Sequence, residues 1–385
     1  MNAKKRILLT VPSIGRDERA ILEGLLDYIH GFCRSQWQVE IDFGEQDCCP
    51  IRIDPKDYDG FIDLVFSPEQ RAAIRRRRAP TVLIEDVLRP SAAPGPKTVT
   101  LMVDHRSEGE TAADYFLARH FRSFGWYGDD IPSDWNADRR KGFTDRLKQA
   151  GFDCSEFSGP PEGLKSWLST LPKPCAVYAV YDMRARRLID MAVRAGFDVP
   201  NDIAVLGNGD DRIVCNTTAP TISSIRCCYR ILGYNAGRVL AKRLTGHAPG
   251  GRLIRIRNTH VVSRLSTDVD AIGDHSVAEA LTYVRNNLHA RLGIDSISRK
   301  VGRSKHFLQD HALRHLGHPL GEEIRRIRLN AARKLLSVTD LPIAEVAETC
   351  GYNSVSHLSL RIKEASGLTP LAYRRHFSTF AALGG

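Results

Sequence analysis

Through its first 264 residues the chain alternates short apolar runs with stretches whose apolar residues recur every three or four positions. "RILLTV" (6–11), "DGFIDLVF" (59–66), "TVLIED" (81–86), "TVTLMVD" (98–104), "SFGWYG" (123–128), "CAVYAVYD" (175–182) and "IAVLGNGD" (203–210) predict strands. "RAILEGLLDYIHGF" (19–32) predicts a helix, because Ile21, Leu22, Leu25, Leu26 and Ile29 share one face. Residues 107–121, 139–152 and 183–202 predict further helices, the last running out into a loop. Apolar strands alternating with helices predict parallel sheets covered on both faces. Ligands in such sheets bind at the carboxyl ends of the strands, where the loops diverge.

The pattern changes after "RLSTDVDAIGD" (264–274), which is polar and lacks periodicity. Residues 275–292, 295–316, 320–338, 341–350, 353–366 and 369–377 all predict helices with short connections. The expected organisation is therefore an α/β sensor of parallel sheets over 1–264, a linker over 265–274 and an all-α domain over 275–385.

Within the last part, Ile343, Val346, Ala347 and Cys350 form one apolar stripe. Asp340 or Thr339 can cap that helix, and Pro342 is tolerated in its first turn. Gly351 supplies a turn, and Asn353 or Ser354 caps a second helix with Val355, Leu358, Ile362 and Ala365 expected inward. Ser356, His357, Ser359, Arg361 and Lys363 are left facing out. This is the pattern of a helix-turn-helix whose second helix enters a major groove. A plain helical hairpin with a wet outer face would read the same way. A second copy favours the first reading: "ISRKVGRSKHFLQDHALRHLG" (297–317) has Gly302 as turn, Ser304 as cap, Leu308 inward, and Lys305, His306 and Gln309 outward. The turn glycines are 49 residues apart. A rigid helix over 322–337 would set the two reading helices about 34 Å apart, one duplex turn.

Charge agrees with this. The net charge is +10, and residues 275–385 hold 16 Lys+Arg against 9 Asp+Glu, whereas the first 274 hold 39 against 36. A basic terminal module points to a polyanion, nucleic acid first and an anionic membrane surface second. The run Arg75–Arg78 reads more simply as a solvated helix end than as a nucleic-acid patch. The nine cysteines include no Cys-x-x-Cys, and Cys48-Cys49 and Cys227-Cys228 suit neither a metal site nor a disulfide framework, so buried thiols in a reducing cytosol are expected. The apolar run Ile7–Val11 is too short for a signal core, and no run approaches the ~20 residues of a membrane span, so the expected location is cytoplasmic with no membrane partner. No glycine-rich phosphate loop, metal-spaced His/Cys set or nucleophile elbow is present, so neither cofactor, metal nor catalytic residues are expected.

On these residues the tail resembles the arabinose-activator (AraC/XylS) family of transcription regulators. Ile343, Ala347, Gly351, Tyr352, Ser354, Lys363, Gly367, Thr369, Pro370, Tyr373 and Arg374 match its signature. Ser304, Leu308, Gly317, Arg328, Ala332, Leu335 and Leu336 match the upstream half, so the resemblance covers roughly 275–377. Leu358 and Ile362 replace usual phenylalanines, and Leu360 stands where a basic residue is common, with Arg361 one place along. Asp310 replaces a common arginine and Ala312 a phenylalanine; a carboxylate facing phosphates weakens the first module or turns it to a cytosine amine. The resemblance implies contacts to double-stranded DNA, at direct half-sites of a promoter or operator, from Lys305, His306, Gln309, Ser356, His357, Ser359, Leu360, Arg361 and Lys363. It also implies a homodimeric activator that works with RNA polymerase.

The leading part resembles the lactose-repressor effector domain, which is similar to two-lobed periplasmic sugar-binding proteins. The carriers are "YDGFI" (58–62), Asp104, Gly109 and Ala112 in 103–116, Arg139 with Gly142-Phe143, "AVYAVYDMRAR" (176–186), "DIAVLGNGDD" (202–211) and "LGYNAGRVLAKRLTG" (232–246). Sensor and tail together resemble the xylose-operon regulators. Sugars are bound by planar polar groups, usually Asp, Asn and Arg beside an aromatic ring. The Arg16-Asp17-Glu18 loop, Arg139, Asp182 and Asp210 or Asp211 are the expected contacts, for a monosaccharide such as a pentose held between closing lobes. Tyr181 and Gly209 depart from the family's Asn and Asp, and Asp182 can alternatively cap the helix after it. The function implied is DNA-binding regulation by a small molecule; a non-sugar effector, or a sugar-processing enzyme with a DNA-binding tail, is the alternative.

Overall fold

The computed structural model describes residues 4–11, 15–43, 57–64, 79–85, 97–130, 133–246, 251–257, 260–290 and 292–377. The Arg75–Arg78 run and the Cys48-Cys49 pair lie outside these residues. The chain divides into two compact units, one of Met1–His105, Ser133–Ala137 and Cys228–Asn258, the other of Arg106–Pro132, Asp138–Cys227 and Thr259–Gly385.

In the first unit β1 (Lys5–Thr10), β2 (Trp37–Asp42), β3 (Gly60–Leu64), β4 (Thr81–Glu85), β5 (Thr98–Val103) and β11 (Arg252–Ile256) form one parallel sheet in the order β11-β5-β4-β3-β1-β2. Strands β3 and β5 are buried along their whole length, as expected of a parallel sheet. Helix α1 (Arg16–Tyr28) starts three residues earlier than its apolar periodicity, so Arg16, Asp17 and Glu18 occupy a first helical turn rather than the expected loop. Asp17 and Glu18 are favoured there by the helix N-terminal dipole. A π-helical turn, Ile29–Cys33, follows.

The second unit carries β6 (Phe124–Tyr127), β7 (Ser155–Phe157), β8 (Cys175–Ala179), β9 (Ile203–Gly209), β10 (Ser223–Arg226) and β12 (Val261–Val262), ordered β12-β10-β9-β8-β6-β7. All pairs are parallel except β10–β12. Helices α2 (His105–Leu117) and α3 (Asp134–Gln149) meet at two glycines: a Cβ on Gly109 would stand 2.1 Å from the Arg139 carbonyl, and one on Gly142 2.0 Å from the Arg106 carbonyl. Helices α4 (Leu164–Thr170), α5 (Asp182–Arg194), α6 (Arg212–Thr217) and, in the first unit, α7 (Tyr229–Leu244) complete the α/β part. Leu164, Leu168, Val177, Leu188, Ile189 and Val205 form the core of this second sheet.

Residues 265–274 are packed rather than extended. Ser266 Oγ donates to the Val205 carbonyl at 2.6 Å and accepts from Ser223 N at 2.8 Å, and both Ser266 and Thr267 are fully buried. Among the described residues seven helices follow: α8 (His275–Asn286), α9 (Ile294–Val301), α10 (Lys305–Leu316), α11 (Leu320–Val338), α12 (Ile343–Thr349), α13 (Val355–Ser366) and α14 (Pro370–Phe377). They enclose two small cores. Val277, Leu281, Ile297, Leu308 and Ala312 build one, and Val346, Ala347, Cys350, Leu358 and Ile362 the other. Helix α11 lends Leu320, Ile324 and Ile327 to the first and Ala332 and Leu336 to the second.

Candidate functional site

The two helix pairs are built alike. Gly302 (φ 68°) ends α9, Ser304 caps α10 by accepting from Phe307 N at 3.1 Å, and Gly317 (φ 80°) closes it. Gly351 (φ 70°) ends α12, Ser354 caps α13 by accepting from His357 N at 3.1 Å, and Gly367 (φ 73°) closes it. Gly351 is required twice over, by its positive φ and because a Cβ would stand 2.3 Å from the Leu288 carbonyl. The cap of α12 differs from expectation: Pro342 is the N-cap residue and neither Thr339 nor Asp340 bonds there. Thr339 Oγ1 instead donates back to the Leu335 carbonyl at 2.7 Å.

On α10, Lys305, His306 and Gln309 are exposed, and on α13 Ser356, His357, Leu360 and Lys363 are exposed while Ser359 and Arg361 are half-buried. Leu358 and Ile362 point inward as expected; Val355 and Ala365 do not, because they fall at the two ends of α13, beyond the reach of the α12 stripe. Two of these cations are already held, and so is the nearby Asp310. Lys305 pairs with Asp295, Arg361 with Glu364 at 2.8 Å, and Asp310 is held by Arg314 at 2.8 Å. Asp310 thus has a neutralising partner on its own helix, and Ala312 is fully buried where a larger side chain would be expected. A cavity of about 460 Å³ beside α11 and α13 has Arg325, Arg326, Arg328, Arg361, His318 and His357 among its lining residues. Glu322 and Glu364 line it too, and Arg361 and Arg326 are paired with Glu364 and Glu323. Among the described residues no helix is long and apolar enough to cross a membrane.

In the second unit the predicted effector residues collect at the carboxyl ends of β8 and β9. Arg139 is buried, bonded to Glu108 at 2.6 Å and to the Val180 carbonyl at 3.0 Å. Asp182 does not cap α5, whose N-cap residue is Tyr181. Its carboxylate accepts from Asp211 N at 2.7 Å and from Ser224 Oγ at 2.5 Å. The Asp211 side chain caps α6, accepting from Ile213 N and Val214 N. Asp210, at φ 51°, is fixed by Arg264 at 2.7 Å and Arg226 at 2.8 Å, with its own N–H donating to Ser224 Oγ. Arg16, Asp17 and Glu18 lie in the other unit, after β1.

Sequence reasoning missed the partners of these groups. Tyr178 OH accepts from Asn208 Nδ2 at 2.9 Å, both buried, and burial pushes the Tyr178 phenol far up. Arg184, two residues along α5 from Asp182, bonds Tyr127 OH at 3.1 Å, Tyr181 OH at 3.3 Å, Asp129 at 2.7 Å and Asp130. Burial opposes its charge, but these hydrogen bonds outweigh it and hold the guanidinium firmly protonated. Asn208 could have been found from its place before Gly209-Asp210 at a strand end; nothing in the sequence marked Glu108, Arg226 or Arg264.

The helical part is bonded to the second sheet's elements. Arg285 donates to Asp270 at 2.7 Å and to the Ala118 carbonyl at 2.9 Å, and Lys334 Nζ to the Val261 carbonyl at 2.9 Å. Burial lowers the Lys334 ammonium to about 8. Glu323, fully buried on α11, faces His120 at 3.5 Å, His318 at 3.4 Å and Arg326 at 2.6 Å. Burial pushes its carboxyl up, yet hydrogen bonds and charge from His120 and Arg326 win and hold it at about 2. The described cysteines form no disulfide among themselves; burial pushes Cys175 and Cys350 up to about 11, which leaves them as inert thiols.

Comparison with known proteins finds the same two parts in the chain. A family model for a periplasmic binding protein-like domain matches residues 113–267, and one for a helix-turn-helix domain matches 297–376. Over 386 residues the chain is 26% identical to the xylose operon regulatory protein of Escherichia coli K12, covering 96% of this chain and 97% of that one. Over 98 residues it is 35% identical to the HTH-type transcriptional activator AarP of Providencia stuartii, covering 26% of this chain and 73% of that protein. A solved structure of a xylose-binding transcription activator matches with a TM-score of 0.58 at 23% identity, over 98% of this chain and 99% of that one, which shows a shared fold. These relatives are transcription regulators, and the chain belongs to the AraC/XylS family of helix-turn-helix regulators, with a periplasmic-binding-protein-like domain ahead of the helical tail.

Proposed function

We propose that the chain is a sugar-responsive transcription regulator: residues 275–385 bind double-stranded promoter DNA, 1–264 sense the sugar, and 265–274 transmit the signal. The observation that carries this is the pairing of two capped helix-turn-helix units on one shared helix, with polar outer faces, in a unit whose strand ends gather Arg139, Asp182, Asp210 and Asp211. Planar carboxylates and guanidinium groups, with Tyr178 and Tyr181 close by in sequence, suit the vicinal hydroxyls of a monosaccharide. The names of the full-length relatives point to xylose or another pentose. Lys305, His306, Gln309, Ser356, His357, Ser359, Leu360, Arg361 and Lys363 read or position the DNA. The protein acts as a homodimeric activator contacting RNA polymerase in the cytoplasm.

The test is a gel-shift titration of the full chain on fragments upstream of sugar-utilisation genes, with pentoses, hexoses and their phosphates added in turn. One sugar should change promoter affinity and raise the melting temperature. The reading fails if no fragment is preferred over random DNA, or if binding responds to none of the sugars. Affinity should also fall steeply with salt, as phosphate contacts require.

A further inference from the structure

Where residues 265–274 end, the first reading helix presents a cluster of metal-ligating side chains. Asp274 is the N-cap of α8; one carboxylate oxygen accepts from Val277 N at 2.9 Å and the other lies 2.6 Å from His311 Nδ1. His315 follows His311 by four residues on α10, so both imidazoles stand on one face, a turn apart. One ligand atom from each of the three residues lies within 4.8 Å of the other two. Phe307 stacks on His311 with ring centroids 3.7 Å apart, which fixes the plane of that imidazole. Gly273 lies beside His315, with the site of a Cβ there 3.4 Å from His315 Nδ1, an ordinary contact distance.

A helix cap and an ion pair account for Asp274 and His311, but they give His315 no reason to complete the cluster. We infer that Asp274, His311 and His315 bind a divalent transition-metal ion, zinc by preference, at the junction of the connecting segment and the first reading helix. Two imidazoles and a carboxylate suit Zn²⁺, Ni²⁺ or Cu²⁺ rather than Mg²⁺ or Ca²⁺. With bonds near 2.0–2.1 Å, neighbouring ligand atoms in a tetrahedron sit about 3.3 Å apart. The cluster reaches that spacing by a rotation of the exposed His315 and a slight widening of the Asp274–His311 contact. The ion takes the place of the proton shared there. Three protein ligands leave a fourth position for water, and the exposure of His315 gives the ion an entry path. A bound ion would tie α10 to the start of α8, and so to the segment packed on β9. The sequence held half of this signal, since His311 and His315 are four apart on a helix; Asp274 is 37 residues from His311 and only the fold brings it there.

The test uses full-length, chelator-stripped protein titrated with Co²⁺ and followed by visible absorption. The expected result is one equivalent giving a d–d band without a thiolate charge-transfer band, displaced by Zn²⁺. His315→Ala, at an exposed position, should weaken binding about tenfold or more. Asp274→Asn, which keeps a capping oxygen, should do the same. His30→Ala, in the other unit, should leave it unchanged. A charge-transfer band would place the ion on cysteines and overturn the inference. So would the absence of any band at stoichiometric Co²⁺, or a titration that His315→Ala and Asp274→Asn leave unaltered.

Discussion

Glu323→Gln should loosen the helical part where it meets the second sheet. Glu323 is fully buried, and His120, which is outside the helical part, faces it together with His318 and Arg326. Holding its carboxyl at about 2 instead of the ordinary 4.5 corresponds to about 3 kcal/mol of stability at neutral pH. The folded value is depressed, so this contribution is complete above pH 4.5 and is lost as pH falls towards 2. Glutamine keeps the shape and one acceptor but loses the charge, so Arg326 exchanges a two-oxygen carboxylate partner for a single neutral oxygen. Urea denaturation of both proteins, with hydrogen exchange of the α11 amides, should show Glu323→Gln weaker by about 3 kcal/mol at pH 7. The gap should close as the pH approaches 2.5. A gap that stayed constant with pH, or a substituted protein as stable as the parent at pH 7, would refute the reasoning.

Ser354→Ala should cost about 1 kcal/mol by freeing His357 N, read as a lower melting temperature of the helical part, whereas Ser354→Asn should restore most of it. Arg361→Ala should weaken promoter binding by about 1–3 kcal/mol in a gel-shift titration, and an unchanged affinity would remove Arg361 from the interface. Asp182→Ala leaves Asp211 N and Ser224 Oγ without their acceptor, at about 1–3 kcal/mol for each donor, and should abolish the effector response. Normal ligand affinity in that variant, measured by calorimetry, would take Asp182 out of the effector site.

The parts of the fold that were legible in the sequence were those where one physical signal dominates. A central strand such as β8, CAVYA, is buried along its whole length and so reads as an unbroken apolar run. Edge strands do not: β7 is three residues of "SEF", β11 reads "RLIRI" with most side chains exposed, and β12 is two residues long. The helix-turn-helix units were readable because a positive-φ glycine and a serine cap sit at fixed offsets from buried leucines. Helix ends were less so, as Val355 and Ala365 show, since burial at a terminus depends on the neighbour rather than on periodicity. At the strand ends the acidic residues could be named, but not the arginines that hold them: Arg264 reaches Asp210 from 54 residues away. Long-range pairing of that kind leaves no local trace.

Helix α11 anchors five buried side chains in two separate cores along 19 residues, about 28 Å of rod. It therefore acts as a ruler whose graduation is set by its own backbone. On the proposed reading, a duplex that engages both modules has to match the spacing that this rod sets between them. Inserting roughly half a helical turn of base pairs between its two contact patches, about five, would carry one patch round to the far side, and no flexing of loops could follow it there.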